Sequence, residues 1–215
     1  MGKRRSSSGP FPRGALGGAW GSTTYPRRRA PTYSCVYGQL GRTFRYSDER
    51  KAFFTPGGIR DAVREKLREA DERGEKVDYI SFVSDGEPTP DANLGELIGL
   101  LGAQGLAPAE KFGRRRIAVI TNASLLNRED VKEGLMRADL ASVKVDAVSP
   151  EVWRRVDRPK GTLRLERILE GVRGFARHYG GTLITESMLV RGLNDGIEEI
   201  AGIARFLQEI NPFIS

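Results

Sequence analysis

The feature that most constrains the fold is an alternation, beginning near residue 50, of short apolar segments with longer amphipathic ones. The apolar segments are rich in β-branched residues and are followed by polar or glycine residues, which predicts strands. These strands span 78–83, 116–121, 140–145 and 182–190. Because they are almost entirely apolar, we expect a parallel sheet whose outer surface is covered by helices.

The amphipathic segments predict the covering helices. Apolar residues recur at helical spacing in 59–74, 94–104, 127–137, 163–179 and 197–210, and a short helix opens at Ser149 or Pro150. Asn127 is the predicted N-cap of its helix. The order of strands and helices predicts an α/β fold and is compatible with both an open sheet and a barrel. Residues 211–215 resemble the start of a further strand, so we expect a chain that is incomplete at this end.

Positive charge is concentrated near the N-terminus. The chain has 35 Lys and Arg against 28 Asp and Glu, and residues 1–47 contain basic residues but no acidic one. We predict a basic, partly disordered arm over 1–30 and a core domain over 31–215. Two interpretations of the arm stay open: it contacts RNA phosphates, or it is a poorly ordered terminus without a partner.

Features that the sequence lacks count against several classes of protein. Cys35 is the single cysteine, so neither an intrachain disulfide nor a complete thiolate set for a metal site is available within this chain. No apolar run reaches the roughly 20 residues of a membrane span, and no secretion signal is evident, so we expect a soluble, cytoplasmic protein. The motifs of P-loop proteins, serine esterases, zincins and Rossmann domains are absent.

Polar residues follow each predicted strand, where α/β proteins place their ligand sites. Glu87 lies in such a turn, and its carboxylate suits an ammonium group or proton transfer, or it caps a helix or pairs with an arginine. Lys144 and Asp146 share one face of their strand, where they bind a ligand or pair with each other or with Glu186. Glu186 and Met188 likewise share a face of the 182–190 strand.

Five segments together resemble the radical S-adenosylmethionine (SAM) superfamily, and within it the iron–sulfur oxidoreductases similar to wyosine-type tRNA-modifying enzymes. These segments are 34–43, 78–89, 118–124, 139–146 and 186–195. The resemblance implies a partial (βα)6 barrel, here stopping before the sixth strand, with a Cys-x3-Cys-x2-Cys loop after the first strand. It further implies that this loop binds a [4Fe–4S] cluster, which cleaves SAM reductively to a 5′-deoxyadenosyl radical.

The resemblance is carried residue by residue. Of the three cysteine positions, Cys35 matches the second as a cluster ligand, whereas the first falls on Pro31 and the third on Gly38, which have no side-chain ligand atom. The SAM-binding residues that the resemblance implies are Ser84, Gly86, Glu87, Thr121, Asn122, Lys144 and Met188. Among them, Glu87 would receive the SAM amino group, and Met188 would flank the adenine.

Three functional hypotheses follow. The first is a radical SAM-type protein whose cluster ligands are incomplete. The second is a cluster-free protein that binds SAM, or binds RNA through the basic arm. The third is a barrel lyase in which Lys144 forms a Schiff base with a carbonyl substrate, as a desolvated lysine can do.

Overall fold

The computed structural model describes residues 20–21, 31–38, 41, 46–83, 87–102 and 115–214. Within these residues, five strands form one sheet in sequence order, and every neighbouring pair is parallel. They are β1 (Trp20–Gly21), β2 (Tyr79–Phe82), β3 (Arg116–Thr121), β4 (Leu140–Lys144) and β5 (Thr182–Glu186). Parallel strands in sequential order, joined through helices, confirm the predicted α/β fold of the partial-barrel type.

The described helices lie where the amphipathic segments predict them. They are α1 (Pro56–Glu72), α2 (Leu94–Gly102), α3 (Glu129–Leu135), α4 (Pro150–Val156), α5 (Leu165–His178) and α6 (Ile197–Ile210). Helix α1 shows the local cause: Pro56 occupies its first turn, and Ile59, Val63 and Leu67 form a buried stripe. The chain leaves this helix through Gly74, whose φ of 65° favours glycine.

The two faces of the sheet pack differently. Ile117 and Val143 lie on the face that joins the helices in the main core, and both are completely buried. The opposite face carries a small apolar cluster formed by Ala118, Leu140 and Ile184. Because residues two apart on a strand share a face, Ser142 and Lys144 lie on this second face. The inner face of the partial barrel is therefore the one that carries polar side chains toward the carboxyl ends of its strands.

The last predicted strand is too long. Strand β5 ends at Glu186, whereas the apolar pattern predicts a strand as far as Val190. Beyond Glu186, side chains replace strand pairing: the Met188 N–H donates to Asp146 Oδ1 at 2.7 Å, and the Val190 N–H donates to Asn194 Oδ1 at 2.6 Å. Met188 consequently lies in a loop, and the prediction that it shares a strand face with Glu186 is wrong.

Two further boundaries differ from the sequence prediction. Helix α3 begins at Glu129, and Arg128 occupies its N-cap position without a capping side-chain hydrogen bond. The preceding residues form turns, in which the Leu126 N–H donates to Ala123 O and the Arg128 N–H donates to Leu125 O. Asn127 is therefore not the N-cap. In addition, the pairing of Trp20–Gly21 with β2 lies within the segment predicted as an arm.

The described chain ends beside β5. Ile214 forms a parallel bridge with Ile184, the Phe213 N–H donates to Leu183 O at 2.8 Å, and the Thr185 N–H donates to Ile214 O at 2.9 Å. This pairing agrees with the strand expected to start near 211. Among the described helices, none combines the length and apolar character that crossing a membrane requires.

Candidate functional site

Glu87 forms the centre of a polar cluster at the carboxyl ends of β2 and β3. Its side chain is buried, with 5% of the residue exposed. Oε1 accepts hydrogen bonds from Thr121 Oγ1 at 2.5 Å, Thr89 Oγ1 at 2.7 Å and the Thr89 N–H at 3.2 Å, whereas Oε2 accepts the Asn122 N–H at 2.7 Å. Glu87 therefore joins the ends of two neighbouring strands, and among the described residues it neither caps a helix nor pairs with an arginine.

Burial raises the pKa of the Glu87 carboxyl above its usual value, and the hydrogen bonds from Thr121, Asn122 and Thr89 offset part of this rise. The four described donors can all stabilise the carboxylate form, but none of them carries a positive charge. A cation placed beside Oε2 would therefore gain an electrostatic attraction that these four donors do not supply.

A second layer of hydrogen bonds holds Asn122 in place. Asn122 Nδ2 donates to Thr32 Oγ1 at 2.9 Å, and Ser124 Oγ donates to the same oxygen at 2.8 Å. Thr32 and Ser124 are completely buried, and Thr32 lies between the first and second cysteine positions of the resemblance. We call Glu87, Thr89, Thr121 and Asn122 the Glu87 cluster. The segment that contains Cys35 is thus hydrogen-bonded to this cluster through Thr32.

The turn after β3 contains a strained residue. Ala123 has a φ of 64°, which is unfavourable for a residue with a Cβ atom. It is held there by hydrogen bonds from its own N–H to Thr121 Oγ1 at 3.1 Å and from the Ser124 N–H to Asn122 Oδ1 at 3.0 Å. The side chains of the cluster therefore stabilise the backbone that presents them, a feature that the sequence pattern does not reveal.

A second cluster lies around Cys35, beyond the end of β4. Cys35 Sγ donates to Asp157 Oδ1 at 3.2 Å. The Tyr37 hydroxyl donates to Asp146 Oδ2 and lies 3.5 Å from Asp157 Oδ1, and Lys144 Nζ lies 4.8 Å from the centre of the Tyr37 ring. Lys144 and Asp146 line the same cavity, as their shared strand face predicts. We call these five residues the Cys35 cluster.

The electrostatics of the Cys35 cluster favour bound protons. Burial, and next the charge of Asp157, raise the pKa of the Cys35 thiol well above its usual value. The pKa of Asp157 is also raised, mainly by burial and secondly by the charge of Asp146. Burial and the charge of Asp146 also raise the pKa of Tyr37. These shifts favour the protonated Cys35 thiol, which donates to Asp157.

The remaining predicted site residues have different positions. Ser84 and Gly86 lie outside the described residues. Met188 is 41% exposed in its loop, and only its backbone contacts Asp146. Glu186 accepts a hydrogen bond from Ser142 Oγ at 2.6 Å, and no ion pair links it to Lys144 in the part of the chain that the structure describes.

Two buried residues that the sequence analysis does not select hold the loops of this edge. Asn194 Nδ2 donates to Asp146 O and to Met188 O, both at 2.8 Å. Glu199 accepts hydrogen bonds from the Val148 N–H at 2.6 Å and from the N–H and hydroxyl of Ser149. Asn194 lies in the 191–195 turn and Glu199 in the amphipathic helix α6. In both places polar residues are common, so the sequence does not distinguish these two buried residues from exposed ones.

A family model described as the Radical SAM superfamily matches residues 32–207, which include both clusters. The chain belongs to the radical SAM superfamily. The match extends over most of the described structure, from Thr32, which binds Asn122, to Leu207 in α6.

Similar proteins support this assignment. The radical SAM chain is 40% identical over 204 residues to UPF0026 protein MJ1312 of Methanocaldococcus jannaschii, covering 95% of the chain and 60% of that relative. It is 34% identical over 160 residues to UPF0026 protein slr1464 of Synechocystis sp., covering 74% of the chain and 55% of that relative. The chain therefore spans more than half, but under two thirds, of the length of these relatives.

A solved structure described as TYW1 with a lysine-pyruvate adduct bound has the same fold. Its TM-score is 0.59 at 14% sequence identity, over 86% of this chain and 59% of that one. The superfamily in general uses SAM and a [4Fe–4S] cluster. The side chains around Glu87 and around Cys35 differ in how well they suit these two groups.

The residues of this chain do not fit the iron–sulfur cluster. Thiolates hold such clusters, and this chain has one cysteine, whose Sγ donates to Asp157. Pro31 and Gly38 offer no side-chain ligand, and among the described residues no group of three His, Cys, Asp or Glu side chains is arranged to hold a metal ion. The Glu87 carboxylate is compatible with the amino group of SAM. Its Oε2 accepts a single hydrogen bond from the described residues and can accept another from an ammonium group.

Proposed function

We propose that this radical SAM-type chain binds SAM at the carboxyl ends of β2 and β3 without assembling a [4Fe–4S] cluster from its own residues. The observation that carries this proposal is the contrast between the Glu87 cluster and Cys35. The Glu87 carboxylate accepts several hydrogen bonds and can accept another, whereas Cys35 is a single thiol that donates to Asp157.

The Glu87 carboxylate would hold the amino group of SAM. A carboxylate has about four lone-pair positions, two on each oxygen. From the described residues, Oε1 accepts three hydrogen bonds and Oε2 accepts one, so the position that these residues leave open is on Oε2, beside Asn122. An ammonium group bound there neutralises a buried charge, and charge-assisted hydrogen bonds of this kind are stronger than neutral ones.

Asn122 and Lys144 support the same proposal from the neighbouring strand ends. Both line the cavity that also contains Asp146 and Asp157, so the Glu87 cluster and the Cys35 cluster meet at Asn122. SAM, when bound, supplies an activated methyl and adenosyl group. The residues of this chain would bind and orient it, and they include no set of thiolates that could hold the electron-donating cluster needed for its reductive cleavage.

The test is SAM titration by calorimetry with Glu87→Gln, which keeps the size of the side chain and removes its charge. We expect the affinity to fall by about tenfold or more, since hydrogen bonds to charged groups contribute about 1.5–3 kcal/mol. Glu199→Gln is the matched control, because Glu199 is also a buried carboxylate with backbone and serine donors. Equal affinities of the two variants, or no SAM binding by the unmodified chain, would overturn the proposal.

RNA contact by residues 1–30 stays a prediction of the sequence. The arm contains Arg27, Arg28 and Arg29 in succession. If they contact phosphates, replacing all three with Gln reduces the salt dependence of RNA binding, because each lost contact with single-stranded RNA lowers the slope by about 0.7. An unchanged slope would favour the interpretation of a terminus without a partner.

A further inference from the structure

A cationic groove lies beside the Glu87 cluster and has no part in the function proposed above. It has a volume of about 210 Å³ and runs between the turn after β3 and the residues that lead into α5. Leu125, Leu163 and Ile168 give it an apolar lining, and Leu125 and Ile168 are buried in the core. The groove therefore has a fixed floor that the folded core supports.

Three arginines line the same groove: Arg128, Arg164 and Arg167. Arg164 Nη1 contacts the carbonyl oxygens of Gly161 and Leu163, and no carboxylate in the described parts of the chain lies within ion-pair distance of it. Arg167 has a long contact of 3.4 Å with Glu170, and both side chains are exposed, so this pair is weak. The guanidinium groups of Arg164 and Arg167 are thus available to an anion.

The acidic residue of the groove is already neutralised. Asp48 is paired with Lys160 and accepts a hydrogen bond from Thr162 Oγ1 at 2.6 Å. Arg128 is held by Asp130, which also binds Arg50. Arg128 therefore adds positive potential near the groove, whereas Arg164 and Arg167 have free hydrogen-bonding capacity.

Helix α5 adds to the positive potential. It has 14 residues and begins at Leu165, directly after Arg164, and no side chain caps its first turn. Uncapped N–H groups at a helix start carry partial positive charge. On the opposite side, Ser124 lines the groove and donates to Thr32, which also binds Asn122. The groove and the Glu87 cluster consequently share one hydrogen-bonded framework.

We propose that this groove binds the phosphate group of a phosphate ester. Guanidinium groups match the geometry of phosphate oxygens and can donate two hydrogen bonds at once. The apolar floor provides a surface for the carbon part of the ester, which inorganic phosphate lacks. The ligand is therefore a phosphorylated organic molecule or the backbone of RNA, both of which present the same phosphate ester chemistry.

The test compares Arg164→Gln and the double variant Arg164→Gln/Arg167→Gln with Arg177→Gln. Arg177 lies at the far end of the same helix, is exposed and contacts a backbone carbonyl, so it matches the charge change. The full-length chain is titrated with uridine 5′-monophosphate, with an oligouridylate and with inorganic phosphate at several salt concentrations. SAM affinity is measured in parallel and should stay unchanged, which separates this proposal from that on Glu87.

We expect the double variant to bind at least one of the two esters about tenfold more weakly than Arg177→Gln does. A loss confined to the mononucleotide identifies a small phosphate ester, and a loss confined to the oligomer, with a lower salt slope, identifies an RNA backbone. The proposal is overturned if the unmodified chain binds neither ester, if inorganic phosphate binds as tightly as both esters, or if the double variant and Arg177→Gln bind alike.

Discussion

The Glu87 cluster and the Cys35 cluster both contain buried carboxyl groups, but the surroundings of these groups differ. Glu87 is surrounded by hydroxyl and backbone donors from Thr89, Thr121 and Asn122. Asp157 instead lies near a second carboxylate, Asp146, and shares donors with it. In the first arrangement, hydrogen bonds to the carboxylate offset part of the rise in pKa that burial causes, whereas in the second the charge of Asp146 adds to that rise.

This difference explains how a radical SAM fold can persist without its cluster ligands. Removing thiolate ligands leaves space and unpaired polar groups, which are costly when buried. Here Cys35, Tyr37 and the two aspartates satisfy one another, and backbone hydrogen bonds from Ser34 and Val36 fix the segment to 156–158. The loop is therefore held by protein contacts of its own.

The sharpest way to break the comparison is to restore the missing thiols. We expect Pro31→Cys/Gly38→Cys to give the brown absorption of a [4Fe–4S] cluster after anaerobic reconstitution with iron and sulfide, and the unmodified chain to give none. A Cβ atom at Gly38 meets Cys35 O at 3.1 Å, so this carbonyl must shift by a few tenths of an ångström.

Pro31→Ser/Gly38→Ser is the matched control, since it makes similar steric demands without thiols. A cluster in the unmodified chain, or in the serine variant, would show that ligands come from elsewhere and that the protonated state of Cys35 does not exclude it from a cluster.

The next largest effect is expected for Glu87→Ala. It leaves four buried or half-buried donors without their acceptor, at about 1–3 kcal/mol each, so we expect the free energy of unfolding to fall by about 4 kcal/mol. Urea denaturation measures this. A loss below about 1 kcal/mol would mean that water replaces the carboxylate readily and that the cluster is not a preformed site.

The pH dependence of stability should differ between two carboxyl groups. The pKa of Asp157 is raised to about 8 in the folded state, so the folded protein holds a proton that the unfolded chain releases, and this contribution to stability is lost as the pH rises from about 4 to about 8. Asp157→Asn should remove this loss. Asp48 has a lowered pKa, caused first by its hydrogen bond from Lys160, so its contribution is lost on acidification instead.

Unfolding curves for Asp157→Asn and Asp48→Asn over a pH series measure the two opposite changes in slope. If both variants alter the slope in the same direction, the assignment of the retained proton to the Cys35 cluster is wrong.

The smallest effect is expected for Lys144→Met. The ammonium group lies 4.8 Å from the centre of the Tyr37 ring, and exposed or half-buried contacts of this kind contribute about 1 kcal/mol. Thermal unfolding of Lys144→Met, with Lys132→Met as a control on the helix side, measures this difference. Equal losses would show that the contact with Tyr37 adds nothing beyond packing of the side chain.

How much of this protein the sequence predicts depends on the range of the interaction. Periodicity of apolar residues is local, so it locates β2, β3 and β4 and indicates that Glu87, Thr121 and Asn122 follow strands that meet at one edge. The same pattern extends β5 too far, because Leu189 and Val190 are apolar although side-chain hydrogen bonds direct the backbone away from the sheet.

What only the tertiary structure decides is which distant side chains share a proton or a charge. Cys35 and Asp157 are 122 positions apart, and nothing in either neighbourhood predicts their contact. The order of strands and helices follows from short-range sequence patterns, because buried residues recur with the period of a helix or a strand. The partners of Cys35, Glu87 and Arg164 depend on where the sheet brings separate loops together, and no local pattern contains that information.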